Sequence, residues 1–474
     1  MEISVSKRDI YWNYIAQFFG IGSGFIVLPV VLRMLSSEEV GMNYLMLSVS
    51  SLVALADFGF SSQFGRNITY VFSGAQELKK DGMSSHVEGE VNYHLLAVVI
   101  ETAKYLYRRI SFFVLLLMIT LGSAYMYRAT NGFTSVNYSF YIWLLFSCST
   151  FFNMYFMYYS SLLTGAAMIM ESKQATILNR LSYIFISFVL LFSGFGLFSI
   201  VIANFIAPFV GRWYSYRKFY TKEMLSRLQG EHPMKEEIKD TFNILWYNAK
   251  KLGINFIGAY GVQQSSTFVI GLFLPLYQVA SYGLMCQLFQ ISSAFSMGVF
   301  TALLPAFYNG IVENKKDKII SDFSFSSFVF FVCFIICSFM IILGGNFCLN
   351  IIGSSTKLPL TMVIIVYSIH MFLENYHSIC SSMIVAQNEV PFVIASLLSG
   401  AGSVLCNLLT LKYTSFGLLG VVLGLLFVQS LYNHWKWPLW VFKEYSINPL
   451  TIVKTGFLET NRHLCGITRS LFNG

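Results

Sequence analysis

Charge is what this sequence lacks most. Its 474 residues include 31 lysines and arginines and 23 acidic residues, 11% of the chain, whereas soluble domains carry roughly 25%. So few charges cannot cover a soluble globule of this length. A chain that is 55% hydrophobic, with mean hydropathy +0.62, is equally unlike a disordered or collagen-like one. The eight cysteines (Cys148, Cys286, Cys333, Cys337, Cys348, Cys380, Cys406 and Cys465) are scattered. Cys333 and Cys337 share a helix face, but a metal site needs further ligands that the spacing does not supply. Free thiols in apolar helices account for the set. A cleavable signal is missing too: Lys7 and Arg8 precede an apolar stretch, 10–32, too long for a signal core, which predicts a retained first span.

What is present is a series of apolar runs near the ~20 residues that cross a bilayer core. They predict twelve helices: 10–32, 38–60, 109–128, 138–160, 172–194, 196–215, 242–273, 276–305, 321–345, 358–384, 390–411 and 416–440. The apolar stretch 91–106 gives the third an earlier start. Phe (46) and Tyr (28) are abundant, and Tyr and Trp anchor helices at membrane interfaces. With twelve spans, 27 of the 31 cations fall on the side that holds both termini, and only Arg33, Arg128, Lys357 and Lys412 on the other. By the positive-inside rule both termini are cytoplasmic. The net charge of +8 is therefore topological and implies no nucleic-acid partner. The fold class expected is an all-α polytopic membrane protein in two six-helix lobes: 1–220, a cytoplasmic linker 221–240, then 241–440. A cytoplasmic tail, 441–474, has apolar positions (Ile447, Leu450, Val453, Phe457) suited to an interfacial helix.

The chain repeats itself weakly. Ser160-Ser161-Leu162-Leu163 matches Ser381-Ser382-Met383-Ile384 at an offset of 221, which also pairs Phe195-Gly196-Leu197 with Phe416-Gly417-Leu418 and Trp213 with His434. Residues 40–46 resemble 279–285 at offset 239. Two halves with six spans each enter the membrane the same way, which predicts a pseudo-two-fold along the membrane normal and a substrate site between the lobes. Duplication without transport is the alternative.

Ala56-Asp57-Phe58-Gly59-Phe60-Ser61-Ser62 with Gly65-Arg66-Asn67, the Glu39-Val40-Gly41 start of span two, and the Phe-Gly-Leu turns before spans six and twelve resemble Wzx-type O-antigen and polysaccharide repeat-unit flippases of the MOP superfamily. The likeness covers essentially the whole chain, through degenerate motifs. It implies a bacterial inner-membrane protein, not an enzyme and without cofactor. Such a protein moves an undecaprenyl-pyrophosphate-linked oligosaccharide from the cytoplasmic to the periplasmic leaflet, with a polysaccharide polymerase and a chain-length regulator as further partners. Other MOP or major-facilitator transporters, such as an ion-coupled drug antiporter, are the alternative. The facilitators' short Gly-Asp-Arg-rich loop after span two is absent, and short outer loops leave no room for a polymerase or ligase active site.

Flipping needs a wet cavity for the sugar and cations for the pyrophosphate, because an unpaired charge in hydrocarbon is costly. Arg180 and Lys251 lie about two turns inside their spans, with Lys250 adjacent and Arg66 just beyond span two. Each either faces the cavity or snorkels to headgroups. Lys251 and Asn255 share a face with Gly258 and Val262; Asn13 and Gln17 share one with Gly20 and Gly24; Gln287 and Gln290 sit near the middle of span eight. These line a cavity or bond between helices. His370, Glu374 and His377 recur at i, i+4, i+7 after Tyr367, a titratable stripe suited to proton coupling or to structural hydrogen bonding. The spacing alone does not specify a metal site. Asp57 is either a gate partner for a cytoplasmic cation or an interfacial residue.

Overall fold

The computed structural model describes residues 7–80, 90–313, 315–387 and 389–472, which form helices and no strand element. The helices fall into two compact units, Met1–Tyr260 with Pro275–Tyr277, and Gly261–Leu274 with Gln278–Gly474. The first holds α1 (Lys7–Met34), α2 (Ser37–Ala54), α3 (Phe60–Phe72), α4 (Tyr93–Leu117), α5 (Ser123–Ala129), α6 (Ser139–Tyr155), α7 (Tyr158–Gly165), α8 (Ile169–Phe192), α9 (Leu197–Phe219), α10 (Lys222–Gln229) and most of α11 (Lys235–Gln263). The second holds α12 (Ser265–Phe273), most of α13 (Leu276–Ser296), α14 (Gly298–Val312), α15 (Lys316–Ile352), α16 (Thr361–Ala386), α17 (Val393–Tyr413), α18 (Gly417–Ser430), α19 (Asn433–Glu444) and α20 (Pro449–Phe472).

Every predicted span coincides with helix. Among the described residues nine segments are long and apolar enough to cross a membrane, or ten when α13 and α14, bent by 45°, count as one. The two predicted spans outside that set, 242–273 and 358–384, are α11–α12 and α16. Their lysines, amides and the His–Glu stripe dilute the apolar average. The third span starts at Tyr93, and one turn of π-helix, Met118–Gly122, joins α4 to α5.

The second pass breaks where the sequence places Asp57. The Asp57 carboxylate accepts the Ser61 backbone N–H (3.2 Å), the Ser61 hydroxyl (2.8 Å) and the Tyr107 hydroxyl (2.6 Å). It thereby caps α3, so residues 60–72 are helical where the sequence implied a loop. Phe58 and Gly59 between the helices are left-handed (φ 49° and 80°), which costs Phe58 about 1–2 kcal/mol and glycine little. Packing holds Phe58 there: its ring lies 5.8 Å from that of Trp246, and a Cβ on Gly253 would come 2.0 Å from it. The buried core around this turn (Phe60, Phe64, Tyr107, Met154, Leu162) extends to Leu245 and Ala249 of α11.

Two separate motif fragments meet at Glu39. One carboxylate oxygen accepts the Ser36 N–H (2.9 Å), while the Ser36 hydroxyl accepts the Glu39 N–H (3.1 Å), a capping box on α2. The other oxygen accepts the Leu197 N–H (3.0 Å) at the start of α9. One carboxylate thus serves two positive helix ends. Gly196, with φ 54°, is needed there, because a Cβ would lie 2.6 Å from that oxygen.

The linker is structured. Thr221 caps α10 through the Met224 N–H (3.2 Å). The His94 ring holds Glu231 through Nδ1 (2.8 Å) and Glu237 through Nε2 (2.9 Å). Both contacts are hydrogen bonds only when the ring carries two protons. Bonds from His94 and then the Met234 amide hold the Glu237 carboxyl below its ordinary value. That contribution is present above the ordinary Glu range and lost as pH falls through the lowered value.

In the second unit the core is a stack of rings: Phe330 of α15 lies 5.5 Å from Phe372 of α16, and Phe334 lies 6.2 Å from Phe289 of α13. Lipid does not drive helices together by hydrophobicity, so amides help bind them. Asn375 donates to Ser293 (2.6 Å), Asn407 to Ser266 (3.0 Å) and Asn433 to Ser399 (3.0 Å). The tail helix α20 lies along α15, with Gly456 against Ser324 and Phe328.

Two outcomes follow from these contacts. Glu39→Ala removes acceptors from two helix ends and lowers stability by about 1–3 kcal/mol, read as a falling melting temperature in detergent; Ser36→Ala loses less. Protease cleavage within 221–240 is slow while His94 is doubly protonated and Glu237 ionised, and faster in strong acid or once the ring is neutral. His94→Ala makes cleavage fast at every pH.

Candidate functional site

The first unit carries a partly open cavity of about 470 Å³ lined from α2, α6, α7, α8 and α9. Backbone geometry assembles it. At Gly211, α9 comes so close to α8 that a Cβ would sit 2.9 Å from the Ala175 carbonyl oxygen and 3.2 Å from the Asn179 Cβ. Pro208 inside α9 has no N–H for the carbonyl four residues back, and the Ser149 hydroxyl donates to that Asn204 carbonyl (3.1 Å), fastening α6 to α9.

Arg180 and Arg212 both line this space, with Asn153, Asn179, Asn204, Thr150, Thr176 and Tyr159, and among the described residues its lining contains no acidic side chain. Arg212 is fixed. Its Nη2 donates to the Asn153 Oδ1 (2.6 Å), and its guanidinium lies 5.4 Å from the Phe156 ring and 5.3 Å from that of Phe209. Its Nη1 is buried without a hydrogen-bond partner. Such a group is an anion site with a donor to spare.

Of the other predicted binding residues, Arg66, Lys250, Gln17, Gln287 and Gln290 do not line this cavity. Arg66 is exposed on α3, bonded to Gln63 (2.5 Å), and Lys250 is exposed, its ammonium 5.3 Å over Tyr247. Gln17 is exposed on α1, and a Cβ at Gly20 would meet nothing within 4 Å, so no close helix contact explains that glycine. Gln287 is half-buried and Gln290 exposed on α13. The side chains of Asn13, Lys251 and Asn255 lie outside the described residues. The Asp57 carboxylate holds neutral partners, Tyr107 and Ser61, in a capping geometry rather than a cation.

The stripe on α16 does come together, and gains a member. Glu374 Oε2 lies 3.4 Å from Nε2 of His434 on α19 and 3.8 Å from Nδ1 of His377. The His370 ring, buried, is 5.6 Å from the His434 ring. His434 Nδ1 is 3.1 Å from the Ser430 hydroxyl. Glu374 Oε2, His370 Nδ1, His377 Nδ1 and His434 Nε2 are all buried without a bond of good geometry. Such a cluster holds ion pairs or protons in low dielectric. Among the described residues no group of three or more His, Cys, Asp or Glu is arranged to hold a metal ion.

The predicted span six, 196–215, places Arg212 at its end, where a cation ordinarily snorkels to headgroups. The helix runs to Phe219, which puts Arg212 two turns inside. No breaker stands before the capping Thr221, and that was the available signal. His434 was noticed only as a repeat partner of Trp213.

No protein-family model matches the sequence, and no curated protein matches it. The fold does have solved counterparts. It is similar to an inward-facing multidrug resistance MATE family transporter of the MOP superfamily, with a TM-score of 0.67 and 13% identity, covering 91% of this chain and 94% of that one. It is also similar to the lipid II flippase MurJ in an inward closed conformation, with a TM-score of 0.65 and 13% identity, covering 94% of this chain and 90% of that one. Both are named as transport proteins, not enzymes. This multi-pass membrane chain therefore has the fold of MOP-superfamily transporters.

Proposed function

We propose that the protein is a flippase that carries an undecaprenyl-pyrophosphate-linked oligosaccharide, an O-antigen-type repeat unit, from the cytoplasmic to the periplasmic leaflet of a bacterial inner membrane by alternating access. The observation that carries this reading is the pocket of the first unit: two arginines and three amides, with no carboxylate among the described residues that line it. The arginines suit a phosphate-bearing head group, and the amides suit its sugars. An organic cation would meet only like charge there, which disfavours the drug-antiporter alternative. The 27-to-4 cation asymmetry supports cytoplasmic termini, and the delivered product would pass to a polymerase with its chain-length regulator.

The His370–Glu374–His377–His434 cluster in the second unit is our candidate for ion coupling. A carboxylate among three imidazoles changes its charge by taking up or releasing a proton, and a change of charge inside a bundle alters which packing is stable.

Two measurements test this. Deleting the gene removes surface polysaccharide and strands repeat units on the cytoplasmic leaflet; Arg180→Ala fails to restore the polysaccharide, while Arg180→Lys restores part of it. Normal polysaccharide in the deletion strain, without a second copy of the gene, sinks the flippase reading. In proteoliposomes with an imposed pH gradient, Glu374→Gln flips at a rate independent of the gradient; an unchanged dependence removes Glu374 from coupling.

A further inference from the structure

The amides of the first cavity differ from those elsewhere in the molecule. In the second unit Asn375, Asn407 and Asn433 each donate to a side chain on another helix, at 2.6–3.0 Å. These amides bind helices together. Asn179 of α8 and Asn204 of α9 line the cavity, and among the described residues neither side chain has a hydrogen-bond partner in the protein. Asn153 of α6 commits its oxygen to Arg212 (2.6 Å), and its nitrogen reaches only the Ser149 hydroxyl at 3.4 Å. Three helices thus send amides into one space, leaving two of them and most of a third unspent.

Asn179 and Asn204 are half-buried, so their amides face the open pocket with donors and acceptors free for a ligand. An anion satisfies only half of each: the N–H₂ donates, but the carbonyl oxygen faces like charge. A hydroxyl both donates and accepts, so it completes both ends of an amide. Thr150 and Thr176, whose hydroxyls donate within their own helices, keep acceptor oxygens at the lining, and Tyr159, one face stacked on Tyr158 at 4.6 Å, adds an aromatic ring to it. The volume falls in the range of sites that enclose small molecules. Arg212 stands rigid at the same wall, its plane set by Phe156 and Phe209.

We propose that Asn153, Asn179 and Asn204, with Tyr159, form a saccharide subsite that receives a sugar ring of the lipid-linked head group, leaving Arg180 to the pyrophosphate. This rests on the flippase reading and assigns its specificity to residues distinct from its charge site.

The test measures binding by the full-length protein in detergent of two probes: undecaprenyl pyrophosphate, and the same lipid carrying one N-acetylhexosamine. The wild type binds both and prefers the sugar-bearing lipid. Asn179→Ala and Asn204→Ala weaken the sugar-bearing lipid by about tenfold, equivalent to one well-placed hydrogen-bonded group, and leave the sugar-free lipid within twofold. Arg180→Ala weakens both. Retained binding of the sugar-free lipid shows each variant to be folded; where an alanine variant melts, glutamine at that position, which displaces the amide by one methylene, gives the same comparison. Asparagine variants that weaken both lipids alike, or neither, overturn the subsite. A wild type without preference overturns it too. A wild type that binds neither lipid removes the flippase reading and the subsite with it.

Discussion

The cost of holding a formal charge where water is scarce governs this molecule. Most of the chain meets it by having almost no charge. Where charge sits at depth, the surroundings are built around it. Arg212 is held by an amide and two ring faces, and its position depends on Gly211, which lets α9 lie on α8, and on Pro208, whose missing N–H lets Ser149 reach α9. Glu374 is met by imidazoles from its own helix and from α19. Remove the need to house these groups, and the small residues and proline around Arg212 have no evident purpose.

The two sites share a plan. The offset of 221 that aligns the halves puts Asn153 on Glu374 and Trp213 on His434. In the first unit the polar contact runs from α6 to α9, Asn153 to Arg212; in the second it runs from α16 to α19, Glu374 to His434. The first members of the two contacts align, whereas Arg212 aligns with Asn433, one residue before His434. The first contact keeps a permanent cation, since arginine does not lose its proton at any biological pH. The second is made of groups that titrate.

The spans were legible because hydrocarbon imposes one rule on every helix, and apolar length satisfies it whatever the packing. Breaks within spans were not. Phe58-Gly59 breaks the second pass because Asp57 caps a new helix, a contact completed by Tyr107, fifty positions away in sequence. Such partners leave no local period to find. The stripe His370–Glu374–His377 was visible because it lies on one helix at one spacing, and His434 was not, because it reaches Glu374 from another. Arg180 was found by its depth in a span and Arg212 was lost by a four-residue error at a helix end. Boundaries matter most where a charge stands near one. Arg66, Lys250 and Arg180 are all exposed, and of the three only Arg180 lines the pocket.

The length of α15 has a mechanical meaning. Its 37 residues rise about 55 Å, far more than the roughly 30 Å of hydrocarbon. The amphipathic α20 rests on it near Ser324, and from there to Ile352 the rod still rises about 42 Å, the full depth of a bilayer with its headgroups. From its contact with Gly456 of α20 onward, α15 alone is therefore long enough to cross a bilayer in one unbroken helix.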